Sequence, residues 1–307
     1  MPAKIAVVGS LNMDLVVRAP RIPQPGETII GRDFHVIPGG KGANQAVAAA
    51  RLGGQVSMVG RVGDDDFGAG LRHTLAEAGI DYRYVSLDPE AATGVALIEV
   101  DDQAQNSIVV ASGANMRLTP AHVDLAETAI AQAKVLLLQL EVPLETVTRA
   151  AEIARGHNVT VILNPAPAQP LPTELLKLVD ILIPNESETA LLTGLPTRSQ
   201  AELKAAALNL QAMGVNTVIL TLGEKGVLLA QFGEAPSIHP AFEVTALDTT
   251  AAGDAFAGGL AAGLGEGMSL PEAIRWGNAA GALATTTLGA QPSLPARAQL
   301  EALLAQN

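Results

Sequence analysis

The sequence predicts an α/β fold with a mainly parallel central sheet, on three observations. Apolar runs of strand length alternate with Ala- and Leu-rich segments of helical length, the rhythm of strands joined by crossover helices. No internal repeat and no low-complexity linker interrupts the 307 residues, so a single domain spanning 1–307 is expected. Two segments break the rhythm, with β-branched residues, local alternation and turn signals but no helix of their own.

Taken in order, Lys4–Val8 is the first apolar run and reads as the first strand. Glu27–Ile37, after the turn residues Pro23-Gln24-Pro25-Gly26, is the first exceptional segment. Ala43–Leu52 is an Ala-rich helix behind a glycine pair, Gln55–Val59 a strand and Phe67–Ala78 a helix. Thr93–Val110, with Asp101-Asp102 at its turn, is the second exception. The two exceptions predict a small β-sheet beside the main one, a lid built from about 14–37 and 92–112. Two extra edge strands of the main sheet are the alternative. Further on, helices are expected over Pro120–Ala133, Leu144–Arg155, Glu186–Leu192 and Gln200–Met213. They interleave with strands at Val135–Leu140, Thr160–Leu163, Ile181–Ile183, Thr217–Thr221 and Gly226–Ala230. Three helices, near Ala252–Leu264, Leu270–Thr286 and Ala296–Ala305, close the chain.

Composition excludes several classes. Basic side chains number 19 against 31 acidic, a formal net charge of −12, which disfavours nucleic acid because phosphate binding depends on Lys and Arg. Aromatics are only 3% of residues, too few for base-stacking platforms. The absence of Cys removes disulfides, thiolate zinc sites and thiol nucleophiles, and suits a reducing cytoplasm. The uncharged stretch that comes nearest to a membrane span, Trp276–Ala296, contains Asn278, Gln291 and two Pro, and a span needs about 20 predominantly apolar residues. The apolar run after Met1 is too short for a signal peptide, so the chain is expected to stay in the cytoplasm, off the membrane.

No P-loop, G-x-G-x-x-G, G-x-S-x-G or paired-histidine metal spacing occurs. Two glycine-rich stretches remain. In Pro38-Gly39-Gly40-Lys41-Gly42-Ala43-Asn44-Gln45-Ala46 the glycines allow close backbone approach, and free N–H groups at the following helix, with Lys41, suit a hydroxylated or anionic small molecule. In Leu247-Asp248-Thr249-Thr250-Ala251-Ala252-Gly253-Asp254, small residues before a helix can expose consecutive N–H groups as an anion hole. Asp254 then reads either as a helix-capping carboxylate or as a general base beside that hole.

Together the two stretches resemble the signatures of the ribokinase-like (phosphofructokinase-B) carbohydrate kinases. The resemblance extends over Gly9-Ser10-Leu11-Asn12-Met13-Asp14, Gly63-Asp64-Asp65-Asp66-Phe67-Gly68, Asn185-Glu186-Ser187-Glu188 and Thr221-Leu222-Gly223-Glu224-Lys225-Gly226. One departure exists: Ala251 stands where the broad family pattern has Gly. The resemblance implies a three-layer α/β/α sandwich with a β lid, and ATP-dependent phosphorylation of a sugar. Asn12-Met13-Asp14, Gln139-Leu140-Glu141 and Gly289-Ala290-Gln291-Pro292-Ser293 are most similar to the branch that converts D-ribose to ribose 5-phosphate.

Carried over residue by residue, the resemblance implies that Asn12, Asp14, Gly40, Lys41, Asn44 and Glu141 hold the sugar. Asp254 is the implied base, and the Ala252, Gly253 and Asp254 amides the anion hole. Asn185, Thr221, Gly223, Gly226, Gly253 and Asn278 fall at ATP positions, and Glu188 at one that meets Mg²⁺ through water. A monovalent cation, K⁺, is implied among Asp248, Thr250, Ala284, Thr287, Gly289 and Ser293, an oxygen-only set with one carboxylate. Lid edges suit strand pairing, and a homodimer through them is expected. Other kinases of the family, acting on deoxyribose, fructose or a nucleoside, and a non-catalytic sugar-binding protein are the alternatives.

Overall fold

The computed structural model describes residues 3–103 and 105–306. Its strands are β1 Lys4–Val8, β2 Asn12–Arg18, β3 Phe34–Gly39, β4 Gln55–Gly63, β5 Asp81–Asp88, β6 Gly94–Val100, β7 Asn106–Ala111, β8 Val135–Leu138, β9 Thr160–Leu163, β10 Ile181–Leu182, β11 Thr217–Thr221, β12 Val227–Gln231 and β13 Ser237–His239. Its helices are α1 Lys41–Arg51, α2 Asp66–Glu77, α3 Pro120–Asp124, α4 Glu127–Ala131, α5 Leu144–Gly156, α6 Thr173–Leu176, α7 Glu186–Thr193, α8 Gln200–Ala212, α9 Ala252–Glu266, α10 Leu270–Ala284, α11 Ala290–Ser293 and α12 Arg297–Gln306.

Nine strands form the central sheet in the order β13-β12-β11-β10-β9-β8-β1-β4-β5. Every pairing in it is parallel except the two made by β12. Side-chain alternation divides the core: Ile5 and Val7 of β1 face one apolar cluster, with α1, α9 and α10, while Ala6 and Val8 face the other, with α5 and α8. Both faces of β1 are therefore covered, which is why it reads as a continuous apolar run. The first strand in sequence is thus buried mid-sheet, between β8 and β4.

The second sheet has the order β3-β2-β6-β7, two antiparallel hairpins joined by the parallel pair β2·β6. The expected small sheet is therefore separate from the main one, not an extension of its edge. Its boundaries differ from expectation: β2 starts at Asn12, and of Glu27–Ile37 only 34–37 is strand. The stretch before it carries Pro20, Pro23 and Pro25, which cannot donate to a ladder.

Other elements also depart from the reading of the sequence. β5 and β13 were not expected. β5 is an edge strand with polar alternation instead of an apolar run, so its signal differs from that of its neighbours. The single helix expected over Pro120–Ala133 is interrupted by a turn at Leu125-Ala126.

Candidate active site

The polar residues singled out in the sequence gather where β1, β2 and β8 end or begin and where α1 and α9 start. Asn12 and Asp14, two apart on β2, point to the same side of the small sheet and are both buried. Asn115, which the sequence did not flag, grips this strand. It donates from Nδ2 to the Leu11 carbonyl (3.0 Å) and to Asn12 Oδ1 (2.7 Å), and accepts from Leu11 N (2.9 Å). Asn12 Oδ1 is thereby satisfied, and its amide Nδ2 is the group left for a ligand oxygen.

Gly40 caps α1 with φ 88°, and a Cβ there would lie 2.6 Å from Asn12 N. Only glycine lets this turn press against β2. The amides at the start of α1 are already bonded, contrary to the expectation of free donors. Lys41 N donates to Glu141 Oε2 (3.1 Å), Gly42 N to Ser10 Oγ (3.3 Å) and Ala43 N to the Ser10 carbonyl (2.9 Å). Ser10 Oγ also donates to Glu141 Oε2. Glu141 thus serves as the N-terminal acceptor that Gly40 lacks. What α1 turns toward the site is the side chains of Lys41, Asn44 and Gln45.

Asp254 is buried in the first turn of α9 and does not cap it. Its Oδ2 accepts from Asn44 Nδ2 and its Oδ1 from Gln45 Nε2, both at 3.0 Å. Gly258, one turn further along α9, makes the approach possible: a Cβ there would lie 2.9 Å from Ala49 N of α1. Asn44 Oδ1, by contrast, is buried with no hydrogen-bond partner among the described residues. At the α9 N-terminus, Ala252 N bonds to the Thr249 carbonyl (3.2 Å), so the expected three-amide hole narrows to Gly253 and Asp254. Space is open beside Gly253.

Charges converge on the same spot. Burial, then the neighbouring Glu141 and Asp254 carboxylates, push Asp14 up to about 7 against the pull of Lys41. Burial would lower Lys41, but Asp254, Glu141, Glu188 and Asp14 outweigh it and raise its pKa. Glu188 is pushed up by burial first, with Asp254 adding to it and the Asn185 amide and Lys41 opposing. Four carboxylates from β2, α7, α9 and the segment after β8 therefore share one ammonium group.

Of the positions expected at ATP, Asn185, Thr221, Gly223 and Gly226 lie at the strand ends beyond, Asn278 on α10 and Gly253 on α9. Asn185 caps α7, accepting from Glu188 N (2.8 Å), and bridges to Thr221 of β11. Glu188 returns a bond from Asn185 N to its Oε2 (2.8 Å). Asn278 of α10 donates to the Pro240 carbonyl (2.9 Å), in the loop against which Gly226 packs; Gly223 is exposed in the turn between β11 and β12. Asp248 Oδ1 accepts from Thr250 N and Oγ1, and its Oδ2 from Gly289 N (2.8 Å), so the two segments expected around a cation do meet. Ser293 Oγ donates to the Ala290 carbonyl, while Ala284 ends α10 and Thr287 lies in the following turn.

Comparison with known proteins gives the family and the fold. The profile of the pfkB family carbohydrate kinases matches residues 2–297. The chain belongs to that family. It is a sugar kinase, 46% identical over 297 residues to a ribokinase of Haemophilus influenzae, with 97% of each chain covered. It is also 39% identical over 304 residues to a deoxyribokinase of Salmonella typhi, covering 99% of both. Among solved structures it is similar to Arabidopsis thaliana ribokinase complexed with ribose and ATP, with TM-score 0.93, 36% identity and 99% of each chain covered. The α/β sandwich of this sugar kinase is the fold the resemblance implied. Sequence reasoning missed Ser10, Gln45, Asn115, Gln139 and Asn164. Ser10, Gln45 and Gln139 carried a signal, each lying inside a quoted motif, whereas Asn115 and Asn164 carried none.

Proposed function

We propose that this sugar kinase transfers the γ-phosphoryl group of ATP to the 5-hydroxyl of D-ribose, in the cytoplasm, with Asp254 as general base. The observation that carries this reading is Asp254 itself: a buried carboxylate at a helix N-terminus, both oxygens held by amide donors, beside an acceptor and donor set suited to vicinal hydroxyls. Asn12 donates and Asp14 accepts on one side of the sugar; Gly40, Lys41, Asn44 and Glu141 line the other. The unpartnered Asn44 Oδ1 suits a hydroxyl donor.

In the reaction the sugar O–H bond breaks and its proton passes to Asp254 Oδ2. The freed oxygen pair bonds to the γ-phosphorus, and the bond to the leaving oxygen breaks with its electrons going to ADP. The Gly253 and Asp254 amides face the transferred group, and Asn185, Thr221, Gly223, Gly226 and Asn278 border the nucleotide. Glu188 keeps one carboxylate oxygen beyond its capping bond, which suits a water-bridged Mg²⁺; bound Mg²⁺ would neutralise charge on the phosphates. Asp248, Thr250, Ala284, Thr287, Gly289 and Ser293 supply oxygens alone, a donor set that fits K⁺, and holding it would order the loop before Asp254.

The four-stranded sheet would act as the lid, excluding water from transfer, and as the surface of a homodimer. The deoxyribokinase relative supports a second reading, in which deoxyribose is preferred. A coupled ADP-release assay across ribose, deoxyribose, fructose and nucleosides decides between them, with ribose expected to give the highest kcat/KM. Asp254→Asn is expected to keep sugar binding and lose about 10²–10³ in kcat. Near wild-type turnover in that variant excludes Asp254 as base.

A further inference from the structure

Gln45 touches Asp254 yet has no part in the chemistry above. It is 0% exposed, so no ligand reaches it. Its Nε2 donates to Asp254 Oδ1 (3.0 Å) and to Asn164 Oδ1 (3.2 Å), and its Oε1 accepts from Gln139 Nε2 (2.6 Å). Asn164 in turn donates from Nδ2 to the Ile183 carbonyl (2.9 Å). The chain of amides joins the C-terminal ends of three neighbouring strands, β8, β9 and β10, to α1, and ends on the carboxylate of α9.

The main chain fixes the direction of every link. The Ile183 carbonyl only accepts, so Asn164 must turn its NH₂ toward it and its oxygen toward Gln45. Gln45 must then present its NH₂ to both Asn164 and Asp254, and its oxygen to Gln139. A flip of the Gln45 amide would set oxygen against Asn164 Oδ1 and against the Asp254 carboxylate at once, while its NH₂ met the Gln139 NH₂. An amide that cannot turn therefore anchors Asp254 Oδ1.

We propose that Gln45 is a positioning residue for Asp254, holding Oδ1 on the closed side of the site so that Oδ2 faces the sugar hydroxyl. The role rests on Asp254 being the base. Asn44 sits on the Oδ2 side, at the ligand; Gln45 sits behind, on the strand ends, and acts only through the carboxylate. Gly258 and the amide chain serve one end: the first sets α9 against α1, the second sets the carboxylate plane.

The test uses the whole enzyme with its preferred sugar. Gln45→Met is close in size but donates nothing, and is expected to lower kcat about 10–100-fold while KM for sugar and for ATP each move less than about twofold. Gln45→Glu keeps the shape, but its carboxyl donates to Asp254 only when protonated, so its kcat–pH profile is expected to shift to lower pH than wild type. In an Asp254→Asn background, Gln45→Met should cost less than about twofold more, because the two act as a unit. Sugar calorimetry and thermal unfolding check each variant's fold, and if Gln45→Met fails to fold, the pH profile of Gln45→Glu carries the test. Wild-type kcat and pH profile in the folded variants overturn the positioning role and leave the base intact. Wild-type turnover in Asp254→Asn alone overturns the base instead.

Discussion

Asp14 carries, at a single residue, the stability cost expected of the proposed sugar site. Its carboxyl is pushed up to about 7 by burial, then by Glu141 and Asp254, from an ordinary value of 3.8. Between those two values the folded chain holds a proton that the unfolded chain has released. Stability therefore falls as pH rises through that window, and the full penalty is present above about pH 7. Three units correspond to an upper bound on the order of 4 kcal/mol. Asp14→Asn is accordingly expected to raise unfolding free energy in urea at pH 8, by about 1–4 kcal/mol, with the gain vanishing near pH 4. The same variant should bind sugar at least about tenfold more weakly, having lost an acceptor for two hydroxyls. An equal gain at both pH values would mean that packing, not charge, sets the difference. Stabilising and disabling the protein by one change is the usual signature of a site built for a ligand.

At the scale of the element, α9 begins under strain. Ala251, its N-cap, takes φ 59° and ψ 10°, a left-handed conformation in which a Cβ crowds its own backbone. The sequence marked Ala251 only as a departure from Gly. Ala251→Gly is expected to stabilise the protein by about 0.5–1 kcal/mol, read as a higher Tm with kcat little changed. A lower Tm would show that unfolded-state freedom outweighs the strain. The amides of α9 and α1 also show what sequence can and cannot carry. Both helix starts were legible, because small residues precede an Ala-rich run. Which one keeps open amides was not, since the acceptors that occupy α1 are Ser10 and Glu141, the latter 100 residues away. Likewise Gln45 lies inside a recognised motif, but its partners Asn164 and Asp254 are 119 and 209 residues distant, and no local pattern encodes such pairing. β5 escaped notice for a local reason: its alternation resembles a half-exposed edge, not the buried runs around it.

For the whole molecule, the main sheet is the buried frame and the small sheet carries exposed apolar side chains. Register places Val36, Leu15, Leu97 and Val109 side by side across all four strands. Val36, Leu97 and Val109 of that row are 46%, 51% and 63% exposed, and Phe34 is 61% exposed. Apolar rows on a sheet with two open edges suit a second copy of the chain. Sedimentation of the wild type at about 10 μM is expected to give a dimer, and the double variant Leu97→Asp, Val109→Asp a monomer with a raised sugar KM. A wild type that sediments as a monomer removes the lid interface. The order of these elements along the chain separates the two halves of the proposed site in time as the chain is made. Asn12, Asp14, Lys41, Asn44 and Glu141 have all left the ribosome before α9 exists, because synthesis runs from the N-terminus. A partly made chain therefore carries the groups proposed to hold the sugar long before it carries Asp254, the proposed base for the sugar hydroxyl. With Asp254 as the proposed base, nucleotide would not be spent on a half-built enzyme, since that carboxylate arrives only with α9, late in the chain.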